Sequence, residues 1–124
     1  MGLESYRDLR VWQLAMDIAV KCYRLTSRFP KEERYGMAGQ INRSPSRIPA
    51  TIAEGYGRGH RGEYLQFLRI ARGSLKELET HLMLSVRVGL APEDEVNGII
   101  SDCEDEGKML GGLIRSLEPG QPGA

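Results

Sequence analysis

Residues 40–82, QINRSPSRIPATIAEGYGRGHRGEYLQFLRIARGSLKELETHL, decide how this chain folds. In order they hold two proline-interrupted apolar segments, a glycine-rich bend from Gly55 to Gly62, and the longest helical pattern in the sequence. Tyr64, Leu68, Ala71, Leu75, Leu78, Leu82 and Ser85 alternate at steps of four and three, with Leu65, Phe67 and Ile70 beside them. That spacing lays one apolar stripe along a helix. A helix is predicted from Gly62 or Glu63 to Val88, closed by Gly89. Before the bend, a helix starting around residues 31–33 carries Tyr35, Met37, Ala38, Ile41, Ile48, Ile52 and Ala53. Pro45 and Pro49 each delete a backbone donor there, at about 3 kcal/mol apiece in a straight helix. The second helix is therefore expected to be kinked or broken near Pro45/Pro49. A break at Ser44 would let that serine cap the helical segment beyond it, with Pro45 harmless in the first turn.

Working outward, Ser5 followed by Asp8 has the spacing of a capping box. Trp12, Ala15, Ala19, Cys22 and Leu25 then continue a helical stripe until Phe29-Pro30 ends it. On the other side, Pro92 with Glu93, Asp94 and Glu95 opens a last helix, where acidic residues favour the positive end of the dipole. Val96, Ile99 or Ile100, Cys103, Gly107, Leu110, Ile114 and Leu117 are placed on its seam, with Asp102, Glu104, Asp105, Glu106 and Lys108 facing away. Gly107, Gly111 and Gly112 are unfavourable in a helix, which close approach of a neighbour or a frayed end would explain. Four such helices joined by short turns make an all-α, up-down-up-down antiparallel four-helix bundle. It forms a single domain over residues 1–117, and residues 118–124 form a tail expected to be disordered.

The 124 residues suffice for one hydrophobic core without disulfides or metal. No apolar run approaches the roughly 20 residues of a membrane span. The opening MGLESYRDLR lacks the features of a signal peptide, so no membrane and a cytoplasmic location are expected. Cys22 and Cys103 fall on apolar stripes and read as reduced core thiols. Net charge is zero, but unevenly distributed: residues 1–72 hold 13 Lys and Arg against 7 Asp and Glu, and residues 73–124 hold 4 against 10. Such a chain either faces a charged partner with one side, complements another copy of itself, or neutralises its two halves internally.

Gly57, Gly59 and Gly62 spell G-x-G-x-x-G, but no strand precedes them and no βαβ unit surrounds them, so a dinucleotide site is not supported. His60 reads as solvated and His81 as a satisfied polar side chain at the edge of the core. Neither has the neighbours of a metal ligand, and no serine stands out with a base beside it. No cofactor, metal or catalytic residue is assigned, and the protein is read as a non-enzyme. The sizeable signal is basic. Arg43, Arg47, Arg58, Arg61, Arg69 and Arg72 face only Glu54 and Glu63 in the same stretch. Arginine grips phosphate with paired donors and stacks on bases, which suits nucleic acid. The competing reading pairs these arginines with the acidic last helix.

Ile48-Pro49-Ala50, Ile52-Ala53-Glu54-Gly55-Tyr56-Gly57 and the run from Tyr64 to Thr80 also carry a resemblance. With Leu9-Arg10-Val11-Trp12-Gln13 and Phe29-Pro30-Lys31-Glu32-Glu33, they resemble the bacterial four-helix-bundle family described as 23S rRNA intervening-sequence proteins, from about Tyr6 to Leu117. The chain departs from the family pattern at Arg47, usually a small Ser, and Thr51, usually Asn. The resemblance implies a homo-oligomer, commonly a pentamer, that handles nucleic acid. It extends to the accessory protein of diversity-generating retroelements, which implies RNA, DNA or a nucleic-acid enzyme as partner. The functional reading is thus an oligomeric bundle presenting arginines to nucleic acid or a nucleic-acid-processing partner. The alternative is a protein-only scaffold whose arginines form structural salt bridges.

Overall fold

Ser5 caps as its spacing predicts. Its hydroxyl accepts from the Arg7 N–H, and Asp8 accepts from the Ser5 N–H. The capped segment is a single 3-10 turn, Tyr6–Asp8, and the buried Leu9 then links it to α1, Arg10–Thr26. This computed structural model describes residues 5–120. A second 3-10 turn, Lys31–Glu33, precedes α2 (Met37–Gly57), followed by α3 (Arg61–Arg87) and α4 (Glu93–Leu117). The described residues contain helices and turns and no strand, so the fold is all-α. The helix expected from residues 31–33 begins in earnest only at Met37.

The break considered near Pro45 and Pro49 is absent: α2 runs unbroken with both prolines inside. Both rings are buried, as are Ile41, Ile48 and Ile52 around them, and packing of this face offsets the lost hydrogen bonds. Ser44 consequently caps nothing. Ser46, one residue beyond Pro45, donates its hydroxyl back to the carbonyls of Asn42 and Arg43.

Consecutive helices pack on one another and α4 returns to α1, while the backbones of α1 and α3, and of α2 and α4, stand diagonally apart across the core. Cross-contacts fix the directions. Ser44 meets Glu77 and Gly55 meets Phe67, so α2 and α3 run oppositely. Arg28 meets Glu95 and Lys21 meets Asp102, so α1 and α4 do too. The core between them holds Ile18, Leu25, Ile41, Ile48, Ile52, Leu68, Leu75, Leu78, Leu82 and Leu110, all essentially without solvent contact. Cys22 and Cys103 are buried and unbonded. Burial pushes the Cys22 thiol up to about 12 and raises Cys103 likewise, so both stay protonated.

Two glycines shape the α2–α3 hairpin. A Cβ at Gly55 would lie 2.5 Å from Phe67 Cβ, so the helices approach more closely there than any side chain allows. Gly59 adopts φ +67° in the turn, a left-handed conformation open to glycine. Close approach does not explain the glycines of α4. A Cβ at Gly107 would make an ordinary 3.6 Å contact with Leu75, and Gly111 and Gly112 meet only the Arg115 side chain. Glu118, read as the first tail residue, is held by Arg69. Pro119 and Gly120 form a turn beyond it, and residues 121–124 of the expected tail lie outside the described residues.

Candidate nucleic-acid interface

Helix α4 carries the acid. It holds seven Asp and Glu residues against Lys108 and Arg115, whereas α1, α2 and α3 each carry more Lys and Arg than Asp and Glu. Because α2 stands diagonally from α4, the basic face of α2 and the acidic outer face of α4 are on opposite sides of the bundle. The neutralising partners of α4 come from α1 and the turn just after it: Lys21 pairs with Asp102 at 2.5 Å, and Arg28 pairs with Glu95. The six arginines between residues 43 and 72 are largely spared that role.

These six are all exposed, but they do not form one patch. Arg58, at the end of α2, pairs with Glu54 one turn back at 2.9 Å and lies 5.2 Å over the Phe67 ring. Arg61 donates through Nε to the Leu117 carbonyl at 2.9 Å, and Arg69 pairs with Glu118 at 3.0 Å. Those two tie the start of α3 to the end of α4. Arg61 also lines, with Tyr56, Gly59, His60, Tyr64 and Leu117, a shallow apolar depression of about 350 Å³ at the bend. The side chains of Arg43, Arg47 and Arg72 make no ion pair or hydrogen bond with described residues.

Arg43 and Arg47 sit one helical turn apart on α2 and so project to the same side. Ser44 between them is fully buried and donates its hydroxyl to Glu77 Oε1 of α3 at 2.5 Å. That hydrogen bond is the main reason the Glu77 carboxyl stays below its ordinary range, helped by the positive fields of His81, Arg47 and Arg43. His81 is half-buried one turn further along α3. Its Nδ1 is buried without a partner, so it is not the satisfied side chain the sequence suggests. The Ser44 hydroxyl faces a carboxylate and no solvent, so it is not placed to attack a substrate. No cluster of three His, Cys, Asp or Glu among the described residues is arranged for a metal ion.

Glu106 corrects the sequence reading. Expected on the outer face of α4, it is instead 0% exposed, and neither carboxyl oxygen has a hydrogen-bond partner among the described residues. Burial pushes its carboxyl up to about 8, which leaves it protonated and neutral at pH 7. The signal is present in the spacing: Val96, Ile99, Cys103, Glu106 and Leu110 step by three and four along the seam on which the sequence reading places Gly107. Of the other residues expected to face outward, Glu104, Asp105 and Lys108 do, and Asp102 is half-buried against Lys21.

Fold and surface together define an all-helical bundle with a basic side and an acidic side, and among the described residues no helix is long and apolar enough to cross a membrane. Residues 7–112 match the model of the family described as 23S rRNA-intervening sequence protein. The chain belongs to that family. Its fold is also similar to a crystal structure of a protein with unknown function from the S23 ribosomal protein family of Bacteroides thetaiotaomicron. The two share 27% identity and a TM-score of 0.78, over 84% of this chain and 94% of that one. No curated protein matches the sequence.

Proposed function

We propose that this protein is a non-enzymatic, cytoplasmic homo-oligomer that binds nucleic acid, or a nucleic-acid-processing partner, through its basic side. The observation that carries the reading is the pairing pattern. Arg43, Arg47 and Arg72 remain without ion pairs to described residues although α4 offers exposed Glu93, Asp94, Glu104 and Asp105. Diagonal placement keeps those acids away from α2. A chain of zero net charge attracts polyanions poorly as a whole, so the local field of one face must do so. Repeating that face around a ring axis adds the fields of several copies. Self-association is supported by Met16, Val20 and Tyr23, which form an exposed apolar stripe at helical spacing on α1, and by the family resemblance.

Gel shifts with structured RNA and DNA across a salt series test the reading, with light scattering for the assembly. Binding that involves about five phosphates weakens tenfold or more for a few-fold rise in salt. The second reading, a protein-only scaffold, draws on Arg58, Arg61 and Arg69, which are already engaged within the chain. An oligomer that binds neither nucleic acid at low salt supports it.

A further inference from the structure

Glu77 lies in the fields of both Arg43 and Arg47, and Ser44, between them in sequence, holds it in place. We propose that the Glu77 carboxylate, held by Ser44 beside Arg43 and Arg47, masks these two arginines electrostatically and so lowers their affinity for nucleic-acid phosphate. The inference rests on the preceding reading and names the residue that sets its affinity.

The chemistry matches. A phosphodiester carries the same single negative charge as a carboxylate, and its two non-bridging oxygens accept from two guanidinium forks. Neither arginine makes a direct ion pair with Glu77 or with any other described residue, so no pair has to be broken before they turn to a phosphate. Glu77 itself is exposed, while Ser44, which holds it, is fixed in the core. His81 adds a ring beside the same position, its Nδ1 unpartnered. Glu77 subtracts one charge from the field the arginines present to a phosphate.

Fluorescence anisotropy with short unstructured RNA and DNA oligonucleotides, on the full chain at low salt, tests the proposal. Glu77→Gln keeps an oxygen for Ser44 and removes the charge. It is expected to tighten binding about three- to tenfold. Glu104→Gln, the same change of net charge on the exposed face of α4, is expected to leave it unchanged. In a background of Arg43→Ala and Arg47→Ala the gain from Glu77→Gln vanishes. Equal tightening by Glu77→Gln and Glu104→Gln would make bulk charge the cause and overturn the proposal. So would an unchanged Glu77→Gln in a protein whose binding needs Arg43 and Arg47, and that outcome leaves the nucleic-acid reading standing. Failure of both wild type and Glu77→Gln to bind removes the two together.

Discussion

Glu77 and Glu106 are the same side chain in two seams of one bundle, and they meet opposite fates. On the α2–α3 side, Glu77 receives a buried hydroxyl and lies in the field of two arginines and a histidine, so it stays charged. In the α4 seam, Glu106 is buried with no hydrogen-bond partner among the described residues, so it keeps its proton. The α2–α3 seam is also the tighter one, closed on Gly55 without space for a methyl group, whereas Gly107 of α4 has ordinary room. The α2–α3 side holds a hydrogen-bonded, charged carboxylate and the closest helix approach, with His81 Nδ1 unpartnered beside it, whereas the α4 seam holds a carboxyl that burial has neutralised. The difference places the usable charge on the α2–α3 side.

The largest effect that would sharpen this contrast belongs to Glu106. Its folded carboxyl holds its proton to about pH 8 against an ordinary value of 4.5, so the folded state binds more protons between those values. Its contribution to stability is therefore complete below pH 4.5, declines as pH rises, and is lost above 8. Urea unfolding across that range should show a decline of at most about 1.4 kcal/mol per pH unit from this group. Glu106→Gln should remove that decline, and Glu106→Leu should stabilise the protein at pH 7 by about 1–3 kcal/mol. An unaltered pH profile in Glu106→Gln would mean that Glu106 is partnered and the contrast is wrong.

Next in size is a pair of glycine substitutions. Gly55→Ala forces a methyl group against Phe67 and should cost about 1–3 kcal/mol, while Gly107→Ala should stabilise α4 by about 0.5–1 kcal/mol through helix propensity. Thermal unfolding of both variants measures the asymmetry directly, and shifts of the same sign would break it. The smallest effect is Ser44→Ala, which removes one hydrogen bond to a charged group that faces solvent. It should cost about 1 kcal/mol and bring the Glu77 carboxyl back up toward its ordinary range, readable by NMR titration.

Features of this bundle are legible in the sequence where the forces behind them are local. Helices α3 and α4 can be read directly because stripe, cap and first-turn acids agree within each segment. The run of α2 through Pro45 and Pro49 cannot, because the penalty is local and the compensating burial comes from other helices. Glu106 is hidden for a related reason: a carboxylate at a seam position contradicts its own hydropathy, and composition favours Gly107 where spacing favours Glu106. The six arginines are close in sequence, yet two helices and a turn point them in different directions. Only the structure separates Arg43, Arg47 and Arg72 from Arg58, Arg61 and Arg69, whose partners lie one turn away or 49 to 56 residues further along the chain.

The central claim is that the unpaired arginines of α2 meet phosphate. It is tested most directly by anisotropy titration of single-stranded RNA over a salt series, comparing wild type with Arg43→Ala/Arg47→Ala and with Arg58→Ala/Arg61→Ala. The account predicts weaker binding for the first pair, with a log–log salt slope shallower by about 1.4, as expected for two lost phosphate contacts on a single strand, and little change for the second. Identical slopes in all three proteins, or no binding by wild type at low salt, would contradict it.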